Sequence, residues 1–136
     1  MDFFKTLAIA ASGLRVQSGR MRVISENIAN ADSTPSKAGE DPYRRKIPTF
    51  QVEFDRALGV NLVELGKPVT DQSAFQLKYE PGHPAADANG NVKFPNVNAL
   101  VEMTDMREAQ RTYEANINVI TATRRMIQRT LDILKA

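Results

Sequence analysis

Leu7, Leu14, Met21 and Ile28 stand seven residues apart near one end of the chain, and Met106, Tyr113, Ile120, Ile127 and Leu134 repeat the spacing near the other. An apolar repeat held at seven, where a straight helix turns every 3.6 residues, keeps its seam on one side only if the helix supercoils to the left around a neighbour. Both segments read as helices. The first, from Phe3 to about Ala31, has no proline; Asp2 is placed to cap it, and Asn30 or Asp32 to end it before Pro35. The second, from about Ala99 to Leu134, has neither Gly nor Pro, and Asn96 or Asn98 can cap its start. A second line, Met103, Gln110, Ile117, Arg124 and Leu131, is broken by Arg124. A third, Ala109, Asn116, Thr123 and Thr130, is small and polar, which admits a close neighbour without offering much apolar area. Gly13 and Gly19 each cost about 1 kcal/mol against alanine inside a helix. They are read as points where another element comes close.

The centre differs in texture. Phe50, Val52 and Phe54 alternate with polar residues, Val60, Leu62 and Leu65 follow, and Phe75, Leu77 and Tyr79 alternate again, which predicts three short strands. Asp87-Ala88-Asn89-Gly90-Asn91 is turn chemistry that returns the chain into Val92 and Phe94, and the aperiodic stretch from Asp32 to Asp41 is a loop. The expected organisation is α+β: a helix over 1–31, a loop and small β module over 32–95, and a helix over 96–136, the two helices forming one coiled-coil core. A β module of this size supplies only a few kcal/mol of core stability and cannot cover two long apolar seams. The helices must cover each other and other subunits, so the free chain is expected to leave its ends disordered until it assembles.

Few chemistries survive the composition. The chain has no cysteine, and His83 is its only histidine, which removes thiol nucleophiles, disulfide scaffolds and multi-imidazole metal sites. A formal charge of +2 is too small for counterion release to drive general nucleic-acid binding. The apolar run Leu7 to Ala11 is short for a signal-peptide core and Asp2 stands where a base is expected, so no cleaved signal is predicted. No stretch reaches the roughly 18 to 20 apolar residues of a membrane span. The turn at Asp87 has its glycine at the wrong place for a calcium loop. His83, between Gly82 and Pro84, reads as a turn-bonding or solvated imidazole, and the basic run Tyr43-Arg44-Arg45-Lys46 as a solvated face or rim contact in preference to a phosphate site. Carboxylates such as Glu53 with Asp55, or Glu80 with Asp87, leave a small wall-cleaving hydrolase as one alternative, and a soluble coiled-coil adaptor as another.

Ser12-Gly13-Leu14, followed by Ile24-Ser25-Glu26-Asn27-Ile28-Ala29-Asn30-Ala31-Asp32-Ser33-Thr34, resembles the amino-terminal signature of the bacterial flagellar rod and hook proteins. In that signature an apolar helix ends in an Asn-Ile-Ala-Asn motif, here Asn27, Ile28, Ala29 and Asn30, with Thr34 soon after. Pro42-Tyr43-Arg44-Arg45-Lys46, Tyr79-Glu80-Pro81-Gly82-His83-Pro84, Asp87-Ala88-Asn89-Gly90 and Phe94-Pro95-Asn96-Val97-Asn98 look like further signatures of the short proximal-rod members, in which a loop like that from Pro35 to Asp41 is usual.

The resemblance implies a structural component of the basal body, with no catalytic residues, cofactor or metal. It implies terminal helices packed as a coiled coil in a helical tube that crosses the periplasm, carries torque and forms part of the export channel. The implied partners are other rod proteins, further copies of this chain, the flagellar export apparatus and surrounding ring proteins, with no nucleic acid and no membrane insertion. Export would proceed without a cleaved signal. A helical tube needs heterologous contacts, one patch meeting a different patch on the next subunit. The seam residues Leu7, Leu14, Met21, Ile28, Met106, Tyr113, Ile117, Ile120, Ile127, Leu131 and Leu134 are the expected packing positions, and Asn27, Ile28, Ala29, Asn30, Thr34, Tyr43, Arg44 and Arg45 the signature positions.

Overall fold

A computed structural model describes residues 2–135. Two long helices, α1 (Phe3–Ala29) and α2 (Ala99–Lys135), flank six short strands, and the architecture is α+β as expected. The strands are β1 (Lys46–Ile47), β2 (Phe50–Asp55), β3 (Val60–Leu65), β4 (Val69–Thr70), β5 (Gln76–Tyr79) and β6 (Asn91–Phe94). They form three separate antiparallel pairs, β1 with β4, β2 with β3, and β5 with β6. The helix starts follow capping chemistry. Asp2 Oδ1 accepts from the N–H groups of Phe4 and Lys5 at 3.1 and 3.2 Å, and Asn98 Oδ1 from Leu100 and Val101 at 3.1 and 3.3 Å, each satisfying donors that have no partner within the helix.

The chain divides into two compact units that both helices enter. The first takes α1 as far as Met21, the hairpin segment Thr49–Lys67 and α2 from Arg107 onward. Here the hairpin runs in register from Phe50 opposite Leu65 to Asp55 opposite Val60. Its turn closes through Gly59 at φ +64°, and the Asp55 carboxylate accepts from the Ala57 and Leu58 N–H groups. β3 is the strand held against the helix: the buried Ser12 Oγ accepts from Val63 N–H at 3.3 Å. Gly19 lets β3 approach, since a Cβ there would lie 2.5 Å from Leu65 Cδ2. At Gly13 a Cβ would fall 2.9 Å from Asn116 Nδ2 on α2, and further along Arg20 pairs with Glu108 at 3.5 Å, so the two helices run antiparallel in this unit. Both glycines are close-approach points, as their cost in a helix suggested.

Burial refines the heptad reading. On α2 in this unit the deepest positions are Ala109 and Thr123, with Asn116 half-buried between them, so the small polar line faces inward. Tyr113, Ile120 and Ile127 flank it half-buried, while Ile117, Leu131 and Leu134 are exposed. Leu7 and Leu14 on α1 are half-buried around the fully covered Ala10, Ser12 and Val16.

The second unit comprises Arg22–Pro48 and Pro68–Met106. Ala85, Val92 and Phe94 form its apolar cluster, and Val23, Ile24 and Val97 are also buried. Asp87 Oδ1 accepts from the Asn89 and Asn91 N–H groups and Gly90 takes φ +80°, which turns the chain from the β5 side into β6. The pair β1 with β4 went unforeseen because two residues a strand leave no alternation to read. Ile28 of the seam, and Met106, are half-buried here, as Met21 is in the first unit.

Candidate functional site

The last turn of α1 puts Asn27 inside the second unit with no exposed surface. A primary amide offers two donors and two acceptor lone pairs, and a buried one must fill them. Asn27 fills all four. Its Oδ1 accepts from Tyr43 Oη–H at 2.8 Å and Lys46 N–H at 2.9 Å, while Nδ2 donates to Lys46 C=O at 2.8 Å and to Glu102 Oε2 at 3.1 Å. The side chain thus does for Lys46 what a neighbouring strand would do, accepting from its N–H and donating to its C=O.

Glu102, 1% exposed in the first turn of α2, needs a cation because an isolated buried carboxylate is costly. Arg45 supplies it, Nε donating to Glu102 Oε1 at 2.5 Å, with Asp71 at 3.7 Å and Asp105 at 3.9 Å completing the guanidinium's surroundings. Burial pulls the Arg45 guanidinium down, but Glu102, Asp71 and Asp105 together hold it above its ordinary value. Its backbone is fixed as well: Arg45 N–H donates to Asn96 Oδ1 at 2.8 Å, and Asn96 Nδ2 donates to Asp71 C=O and Ser73. Hydrogen bonds from Ser73, with Arg45 nearby, hold the Asp71 carboxyl below its usual range. The Tyr43 hydroxyl is pushed up to about 12, first by burial and then by the carboxylates of Glu26 and Glu102.

Around this centre Lys46 pairs with Glu26, Arg44 lies over the Phe75 ring at 4.1 Å, and Asn30 Nδ2 donates to Glu26 C=O at the end of α1. Thr34 Oγ1 stands 3.3 Å from His83 Nε2, and His83 Nδ1 accepts from Ala85 N–H at 3.0 Å. That pairing leaves Nδ1 unprotonated and makes Nε2 the donor to Thr34. His83 is a turn-bonding imidazole.

The signature residues therefore gather largely in one unit. Asn27, Tyr43 and Arg45 share one network, Arg44, Asn30 and Thr34 bond nearby, and Ile28 and Ala29 complete the helix turn. One expectation is corrected: the run Tyr43 to Lys46 is not a solvated face, because Arg45 turns inward to the buried Glu102 and Tyr43 to Asn27. Glu102 is the member that sequence reasoning missed; Asn96 stood out as a cap candidate and signature residue, and Lys46 as part of the basic run, neither as a member of this network. Glu102 could have been found. It lies seven residues before Ala109 on the small inward line of α2, where a carboxylate demands a cation from elsewhere. Among the described residues no group of three metal-ligating side chains gathers, and no helix is long and apolar enough to cross a membrane.

The second candidate surface is apolar. Phe4, Ile133 and Leu134 are 77, 76 and 77% exposed, all in the first unit. In the same unit Phe50, Val52 and Phe54 project from β2 at 49, 71 and 58% exposure, on one side of the strand.

Comparison with known proteins matches both ends of the chain. Residues 7–35 fit the family described as Flagella basal body rod protein, and residues 88–133 the family described as Flagellar basal body rod FlgEFG protein C-terminal. The chain is 56% identical over 128 residues to the flagellar basal-body rod protein FlgC of Agrobacterium fabrum, covering 94% of this chain and 92% of that protein. The protein of the same name from Salmonella typhimurium is 42% identical with 98% of each chain covered. That of Bacillus subtilis is 38% identical, with 99% of this chain and all of that protein covered.

Proposed function

The chain belongs to the flagellar basal-body rod protein FlgC family, a structural and non-enzymatic part of the basal-body rod, and from that membership we propose how it works there. Its terminal helices pack as a left-handed coiled coil within a tube of repeating subunits, and the tube transmits torque across the periplasm. Leu7, Leu14, Met21, Ile28, Met106, Tyr113, Ile117, Ile120, Ile127, Leu131 and Leu134 complete their burial against neighbouring subunits, which are other rod proteins and further copies of this chain. The chain reaches its place through the flagellar export apparatus without a cleaved signal, and ring proteins surround the finished tube. The network of Asn27, Tyr43, Arg45 and Glu102 fixes the second unit's segments against one another, so that load passes through a rigid body.

The observation that carries this reading is the exposure of Phe4, Ile133 and Leu134 on one unit of a single chain. Large apolar side chains left open to water at several places on one unit mark surface meant for protein contact. Imaging of purified basal bodies, with this chain assigned in the density, is the test. Both helices should line the tube, their seams against neighbours. A chain found outside the rod, or with both helices facing solvent, would reject the reading.

A further inference from the structure

Because each sheet is a two-stranded pair, every strand leaves one edge of its backbone open, and on β2 and β5 that edge coincides with exposed side chains. Beside β2, Gly66 N–H donates to Thr49 C=O at 2.8 Å. Hydrogen-bonded pairs alternate from there, so Gln51, Glu53 and Asp55 turn their backbone groups to β3, while Phe50, Val52 and Phe54 turn theirs outward. In the other pair Glu80 N–H donates to Gly90 C=O at 2.9 Å, so Gln76 and Lys78 bond β6, and Leu77 and Tyr79 face outward. The residues with open backbone groups are thus also those with open apolar side chains, Leu77 and Tyr79 being 63 and 73% exposed. On the opposite face of each strand stands a free charge, Glu53 on β2 and Lys78 on β5. The Asp55 carboxylate already caps its turn, Lys78 Nζ lies 4.0 Å from the Phe94 ring centre, and among the described residues neither Glu53 nor Lys78 takes part in an ion pair. An exposed apolar edge takes up another strand unless something blunts it.

We propose that β2 of one copy pairs antiparallel with β5 of a second copy of this chain, Glu53 opposite Lys78. This rests on the reading that copies of the chain assemble with one another. Residues whose backbone groups face outward must meet others that do, so the register can shift only in steps of two, and one of those steps sets the carboxylate against the ammonium. Phe54 then stands opposite Leu77, and Val52 opposite Tyr79, on the other face. All four residues of β5 are paired, and four exposed apolar side chains cover one another. β2 holds no base and β5 no acid, so neither strand meets its own charge requirement by pairing with its own kind. The contact is heterologous: it leaves β5 of the first copy and β2 of the second open, which is the geometry that extends an assembly.

The chain has no cysteine, so introduced ones report without background. In the proposed register positions 53 and 78 form a non-hydrogen-bonded pair with Cα atoms about 4.5 Å apart, within reach of a disulfide. Glu53→Cys and Lys78→Cys are placed in separate, differently tagged chains, co-expressed in cells lacking the native chain, and the purified basal bodies are mildly oxidised. A mixed dimer carrying both tags is expected, and neither variant expressed alone should give a dimer. Basal bodies that contain both chains but give no mixed dimer, or in which Glu53→Cys links to a different protein, overturn the proposal while leaving the chain's place in the rod intact. If the cysteine chains fail to assemble, charge reversal decides. Glu53→Lys should shrink the swimming zone in soft agar, and Lys78→Glu in the same chain should restore it. An unchanged zone, or no restoration with the chain at its native level in the cell, overturns the proposal.

Discussion

Asn27 at the end of α1 and Glu102 at the start of α2 meet as a buried amide and carboxylate, Nδ2 to Oε2 at 3.1 Å. A polar contact thus joins the helix ends in the second unit, beside the buried Val23, Ile24 and Val97. A close-packed apolar contact tolerates a slide of one turn better than this arrangement does, because Asn27 makes four hydrogen bonds to three residues and Glu102 holds Arg45, and a slide would strand all of them.

Removing one side of the ion pair should cost more than removing both. Glu102→Gln leaves the Arg45 guanidinium facing a neutral amide, and Arg45→Met leaves a carboxylate buried without its cation. Each single change should lower stability by about 2 kcal/mol or more. The double replacement Arg45→Met with Glu102→Gln should cost clearly less than the sum of its parts. Urea unfolding of the four proteins gives the coupling energy, and strict additivity would remove the pair from its central role.

Alkaline pH tests Tyr43. Its folded-state value of about 12 exceeds the ordinary value of 10.0, so the fold favours the protonated phenol that donates to Asn27. A group raised on folding lends stability fully present below its unfolded value and lost as pH rises through the folded one. Stability should therefore fall between about pH 10 and pH 12. Tyr43→Phe should be less stable at neutral pH yet show a shallower loss over that window. Melting temperatures of both proteins from pH 8 to 12 compare the slopes.

Much of the fold was legible because its signals are local. Asp2, Asn98 and the heptads mark the helices, and alternation marks β2, β3 and β5. The inward line of α2 could be seen as small and polar, but that it, and not the apolar seam, lies deepest depends on how closely Gly13 lets the helices approach. The network was harder to read. Tyr43 and Arg45 stood out as a basic run and as signature positions but not as partners of Asn27, Asn96 and Glu102, which are far apart in sequence, and no periodicity joins a loop to two helix ends. The exposed face of β2 was hidden for another reason: alternation shows which residues share a side, not whether anything covers it.

Gly13→Ala sets helix propensity against space. Alanine gains about 1 kcal/mol in a helix interior, but its Cβ would meet the Asn116 amide, 2.9 Å from Nδ2 and 3.0 Å from Oδ1. Asn116 also bonds Thr112 C=O at 3.1 Å and so does not move freely. Gly13→Ala should destabilise the native chain by about 1 to 2 kcal/mol and stabilise one already carrying Asn116→Ala. Thermal melts of the four combinations show whether the sign reverses; the same sign in both backgrounds would mean that Asn116 does not limit the approach.

Leu134→Asp separates the stability of a single chain from the stability of the rod. In one chain Leu134 is 77% exposed in the last turn of α2, so an aspartate there replaces little buried area and should change monomer stability by less than about 0.5 kcal/mol. In the tube the same position is expected to be dry, where an unpaired carboxylate costs several kcal/mol, and the cost recurs in every subunit. The substituted chain should melt like the native one and be exported in equal amount, yet cells carrying only that chain should build no stable rod and no hook. Calorimetry of the monomer, blots of secreted protein and electron microscopy of basal bodies read the three effects. Complete hooks in those cells would show that Leu134 faces solvent in the rod too, and would end the apolar seam of α2 at Ile127.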